Sequence, residues 1–223
     1  MKFRALTFLL LLASLPSQAQ TSAALALPAL SRQWHGSDYQ AAADAMTRGA
    51  VALPRYTTPE GTKTLNRITS SENLEFQRDA NLPVQARLKD FLVMQGAVAL
   101  LLKQYYIAAN NGEDIHEEIA AVMAIMLHTT ASGASLLTQF VALMPRDAAY
   151  EKRMEGLKQV QSGMTNIFLG AEASLSERSF YEEADLSLIL DAIASATASM
   201  RAFLAPDVRQ ELIQKFERHR KDF

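Results

Sequence analysis

Four histidines, at positions 35, 116, 128 and 219, are the residues best suited to chemistry near neutral pH, and cysteine is absent altogether. Without cysteine there is no thiol nucleophile, no disulfide, no cysteine-bound zinc and no iron–sulfur cluster. His116-Glu117-Glu118 resembles the opening of the zinc-protease helix motif, but that motif needs a second histidine four residues after the first, where Ala120 stands. His116 and His128 are twelve residues apart, about 120° around a helix and about 18 Å along it, so one helix cannot bring both to one metal. Glu113 precedes His116 by three residues, but the other three histidines have no such Glu, so the paired Glu-x-x-His motifs that di-metal sites of helical bundles require are missing. Gly133-Ala134-Ser135-Leu136-Leu137 lacks the closing glycine of a hydrolase elbow and falls inside a helical stretch. Phosphate-binding loops and dinucleotide fingerprints are absent too, so no cofactor or metal is expected. An enzyme reading rests on His128, or on Asp191 set among Ile189, Leu190, Ala192 and Ile193, and each would need a polar partner from another helix.

His128 belongs to a more distinctive pattern. From Ile119 to Met144 no Asp, Glu, Lys or Arg occurs over 26 residues. At 100° per residue, His128, Ser132, Ser135 and Gln139 gather within about 60° of one another, while Met123, Met126, Leu137, Val141 and Met144 lie opposite. A crossing of a bilayer would suit the length, and acidic residues before and basic residues after suit an out-to-in orientation. A segregated polar stripe and the want of a second spanning segment favour a bundle helix instead. The stripe is the wetter side of a core helix, and because it is uncharged and cheap to desolvate it also suits a docking surface for another protein.

A second pattern is the row Gly156, Gly163 and Gly170 at seven-residue spacing. Each glycine costs about 1 kcal/mol against alanine inside a helix. Close approach of a neighbouring helix accounts for such a row, as for Gly96 and Gly133, and a core seam of Tyr150, Met154, Leu157, Met164, Phe168 and Ala171 would run beside it. The alternative is a groove for an apolar small molecule or lipid, lined by the nine methionines of the chain where they face inward. Basic residues at 215, 218, 219, 220 and 221 complement a helix dipole, and with the acids interleaved among them they are too few to indicate nucleic-acid binding.

The elements that must position these residues follow from the rest of the chain. Residues 1–19 have the layout of a secretory signal peptide: Lys2 and Arg4, the uncharged run Ala5–Leu15, Pro16, then small residues at 17 and 19, with cleavage expected before Gln20. The mature chain would hold 20 Lys and Arg against 24 Asp and Glu, without Asn-x-Ser/Thr acceptors, which fits a bacterial periplasm or release outside the cell. Residues 20–81 read as a loosely organised segment with one or two short helices. A capping box of Ser37 and Gln40 would start a helix over 38–50, and Thr58-Pro59 would start a second. Residues 82–223 divide at Asn110-Asn111-Gly112, at Pro145 and between Ser174 and Ser179, with Ser179 and Glu182 as another capping box and Pro206 opening a last helix. Strand patterns are missing. The sequence therefore predicts an all-α protein, an antiparallel bundle of four long helices plus a C-terminal helix, with short helices in front. The function expected is protein binding by an exported helical protein (an adaptor, a chaperone-like factor or an inhibitor), with an apolar or lipid carrier as the alternative.

Overall fold

The computed structural model describes residues 26–200 and 206–221. The expected signal peptide and its cleavage point lie outside the described residues. No strand occurs among those described, and the helices are α1 (Gly36–Thr47), α2 (Pro59–Ile68), α3 (Glu75–Arg78), α4 (Val84–Asn110), α5 (His116–Ala142), α6 (Tyr150–Leu175), α7 (Glu183–Ser199) and α8 (Pro206–Lys221). Short 3-10 turns at Ser71–Leu74 and Arg178–Phe180 lead towards α3 and α7. The fold is the all-α antiparallel bundle read from the sequence, with the long helices α4 to α7 packed together.

Local chemistry sets the boundaries. Thr58 caps α2 by accepting from the Gly61 amide at 3.0 Å, with Pro59 at the first helical position. Gly112, at φ +90°, supplies the left-handed residue that follows α4. The two other expected caps shift. α1 starts at Gly36, because Asp38 reaches back to the His35 amide at 3.0 Å, and α7 starts after Glu182, whose amide bonds Asp185 at 3.0 Å. In both places a carboxylate at the third position makes a charge-assisted bond that outcompetes the serine-led box.

α5 is the central helix, flanked along its length by α4 and α7. α1 lies along α4, so the front segment enters the core: Trp34 and Tyr39 are fully buried. Asn73, itself fully buried, holds them, accepting from the Trp34 amide at 2.9 Å and donating to Tyr39 Oη at 2.7 Å. Residues 34–46 thus pack more intimately than a polar, proline-interrupted stretch suggests. The expectation that a second membrane-length segment is missing is corrected. α4 and α5 are each long and apolar enough to cross a bilayer, but 83% of the apolar window of α5 is covered by protein.

α6 departs from expectation. Its C-terminal half buries Met164, Ile167, Phe168, Ala171 and Leu175, whereas no residue from Tyr150 to Gly163 is buried. The expected seam therefore holds for Met164, Phe168 and Ala171, holds in part for Leu157, which is half-buried against the core, and fails for Tyr150 and Met154. The glycine row is not a seam of close approach where it can be tested. A Cβ at Gly156 or at Gly170 would meet nothing within 4 Å, while one at Gly133 would stand 2.1 Å from Cζ of the buried Phe91. α8 closes against α7 and α6, and two of its basic side chains are already paired, His219 with Glu172 and Lys215 with Glu211, both at 3.2 Å.

Two glycines in two long helices should consequently respond in opposite directions. Gly156→Ala should raise stability by about 0.5–1 kcal/mol, since it removes backbone freedom at an exposed helix position. Gly133→Ala should lower it by about 1–2 kcal/mol, because Phe91 must move within a close-packed core. Urea unfolding of the two variants beside the parent chain measures both.

Candidate functional site

The polar stripe of α5 runs from half-buried His128 and Ser132 to exposed Ser135 and Gln139. His128, Ser132, Ser135 and Gln139 line one cleft of about 340 Å³. Its other walls are Gln77 and Arg78 at the end of α3, Arg87 in the first turn of α4, and Ser195 and Ser199 near the end of α7. Ala131 and Leu136 form its apolar floor. All four residues singled out by helical periodicity line it together, and residues of three further helices, α3, α4 and α7, join them.

Arg87 dominates the electrostatics. It is 5% exposed, and its three hydrogen bonds go to neutral oxygens: Nε to Leu82 O at 3.1 Å, Nη1 to Gln77 O at 3.3 Å and Nη2 to Gln139 Oε1 at 2.9 Å. Among the described residues no carboxylate lies within ion-pairing distance of Arg87 or of Arg78. Gln77, also buried, donates to Asp90 Oδ2 at 3.3 Å and leaves its own Oε1 without a partner. Burial, and then the charge of Arg78, push the His128 pKa below that of an ordinary imidazole, so His128 is neutral at pH 7. Ser135 accepts from Gln139 at 3.4 Å, and Ser199 donates to the Ser195 carbonyl at 3.0 Å. The cleft is rich in donors, carries two guanidinium charges and has no acid in its lining.

Asp191 is exposed on α7 and does not line the cleft, so the structure does not unite it with His128. Gly156 is exposed, Gly163 half-buried and Gly170 buried, and none of them lines this cleft or the larger groove of about 490 Å³ between α7 and α8. That groove is walled by Ala194, Ala198, Ile213 and Phe216, with Arg209 and Glu217 at its edge.

A histidine site that the sequence did not reveal joins the starts of α5 and α7. His116 Nδ1 lies 2.6 Å from Asp185 Oδ2, with Asp114 at 3.4 Å and Glu182 at 3.9 Å from its other nitrogen. The Phe180 ring stands edge-on to the imidazole. Burial alone would lower the His116 pKa, but the hydrogen bond and charge of Asp185, helped by Asp114 and Glu182, overcome it and raise the pKa. No cluster of three metal-ligating side chains is found among the described residues. The His116–Asp185 pair is accordingly a clasp between two helix N-termini.

Comparison with known proteins gives no match: no family model, no curated protein and no solved structure is similar to the chain at a significant level.

The two histidines should give opposite pH dependences. His116, with its pKa raised on folding, adds stability that is complete below the unfolded value of about 6.5 and disappears as pH rises through the folded value. His128, with its pKa lowered, leaves stability intact above that value and diminishes it as pH falls through about 6.5. His116→Ala should lower Tm by at most about 2–4 °C at pH 6, and by less at pH 8.5. His128→Ala should lessen the decline on acidification. Melting curves between pH 5 and 8.5 test both.

Proposed function

We propose that the chain is an exported binding protein that engages another protein through the cleft of His128, Ser132, Ser135 and Gln139, acting as an adaptor, a chaperone-like factor or an inhibitor. The observation that carries this reading is the convergence of the whole uncharged stripe in one open cleft, beside Ser195 and Ser199 of α7. Neutral hydroxyls and amides lose water at small cost, and a concave site of this size takes a protruding side chain or a short loop of a partner. The layout of residues 1–19 supports export.

An apolar carrier is the second reading. What favours it is the groove between α7 and α8, where Ile213 is 46% exposed and Phe216 forms a wall. Solvent extraction of protein purified without detergent should then release a stoichiometric lipid, and a clean extract counts against the carrier.

A photo-crosslinking residue at Ser135 should join the chain to one partner polypeptide in the compartment where it resides, whereas the same residue at the exposed Glu151 of α6 should not. Ser132→Asp combined with Ser135→Asp should abolish that adduct with helicity unchanged. An adduct that persists in the double variant removes the cleft from consideration. N-terminal sequencing of the same preparation should begin at Gln20.

A further inference from the structure

We infer that the cleft between α3, α4, α5 and α7 is a phosphate-monoester site, filled by a phosphoryl group on a small organic molecule. This deepens the proposal that the cleft is the binding site, and it is independent of whether a protein also docks there.

Three buried charged side chains set the contrast. Glu118 is 3% exposed and has Arg55 at 3.4 Å, and Asp185 is 5% exposed and has His116 at 2.6 Å. Arg87 is equally buried but is met by neutral oxygens alone. A guanidinium has five N–H donors, and those three bonds leave two unused. A buried charge is stable when an opposite charge offsets it, so Arg87 stands as the cationic half of a pair. Arg78 makes no hydrogen bond or ion pair among the described residues, and its charge reaches far enough into the cleft to depress the His128 pKa. Two cations therefore border one small volume without a resident anion from the protein.

The remaining lining selects the kind of anion. Ser132 and Ser135 offer hydroxyls from α5, Ser195 offers one from α7, and the guanidiniums come from α3 and α4. Donors arriving from three directions suit a tetrahedral oxyanion, whereas a planar carboxylate is satisfied by a single bidentate fork. Asp90, the nearest acid in this network, is held behind Gln77 and bonded to the Gly36 amide at 2.7 Å, and does not line the cleft. About 340 Å³ falls in the range of small-molecule pockets, so an organic substituent can accompany the phosphoryl group. The unpartnered acceptor Gln77 Oε1 would take a hydroxyl of such a molecule.

Titrating the mature chain with glycerol 3-phosphate at constant ionic strength, while following the His128 imidazole resonances, tests the assignment. Inorganic phosphate is the minimal probe, acetate the planar control and chloride the ionic control. The expected result is a saturable shift with both phosphates and none with acetate or chloride. Arg78→Gln, at an exposed position, should weaken glycerol 3-phosphate binding by about tenfold or more without altering the melting curve of the free protein at pH 8, where His128 is neutral in either chain. Ser195→Ala should weaken it by a smaller factor. The absence of a saturable shift at tens of millimolar, an unchanged affinity in Arg78→Gln, or equal binding of acetate would each overturn the phosphate assignment. A cross-link from Ser135 that survives such a result would leave protein docking standing by itself, so the two proposals fail separately.

Discussion

A helix that carries no charge for 26 residues cannot be left in water along its length, and the architecture is the answer to that constraint. α5 needs cover on nearly every face, which α4 and α7 give along its flanks while α2, α3 and α6 add shorter contacts. Even its polar residues are adapted to burial. Thr129 and Thr130 return their hydroxyl protons to the carbonyls of Ile125 and Met126, at 2.8 and 2.7 Å, and so ask little of neighbouring helices. Each large apolar side chain buried in this way contributes about 1.5–3 kcal/mol, an amount no surface ion pair in the chain can match. The cover ends at His128, Ser132, Ser135 and Gln139. The cleft is where the surrounding helices stop short.

Polar clasps at helix starts convert this non-directional burial into one register. Glu118, in the first turn of α5, accepts from the Tyr56 amide at 2.8 Å and pairs with Arg55, fixing the chain ahead of α2. Asp185 serves at once as the cap partner of Glu182 and the partner of His116. Asp90 binds both the first amide of α1 and the amide of Gln77. In each case a carboxylate beside free N–H groups is favoured by the helix dipole as well as by the hydrogen bond. Arg87 performs a similar positional task, tying α3 and the loop at Leu82 to Gln139 of α5, but with neutral acceptors only. Its charge is left to act on whatever enters the cleft.

Much of this was legible in the residues. Helix breaks at Asn111-Gly112 and at Pro145, the start at Pro206 and the grouping of the α5 stripe all follow from rules that act within one helix or one turn. The features that were not legible depend on which helices meet. Periodicity places Ser132 beside Ser135, but nothing in the spacing of Ser195 and Ser199 says that α7 will bring them opposite. Arg87 sits just ahead of the apolar stretch that begins at Leu88, and it is held by Gln77 across the turn before α4 and by Gln139, far away in sequence. The seven-residue glycine row suggested contact because glycine permits it. Permission is not cause: a Cβ at Gly156 or Gly170 would meet nothing within 4 Å, whereas at Gly133 Phe91 occupies the space of a side chain. α1 owes its place in the core to contacts of the same long-range kind. A twelve-residue helix rich in alanine looks weak in isolation, yet small residues let Trp34 and Tyr39 reach the core together.

Because the cleft is built from the margins of the same helices that form the core, its rigidity is inherited from them. Ser132 and Ser135 are fixed by the seating of α5, and Ser195 and Ser199 by α7, whose Ile189, Ala192, Ile193 and Ala196 are buried. Binding groups held in this way lose little further freedom when a ligand arrives, which is the condition under which a few hydrogen bonds give useful affinity. His128 fits the same logic. Burial and the nearby Arg78 keep it neutral, so it adds no third positive charge to a site that already holds two. An entering anion would offset the charge of Arg78 on the imidazole while covering it further from water. On the proposed anion reading, the charge state of His128 would be coupled to the occupancy of the cleft through packing alone, with no moving part required.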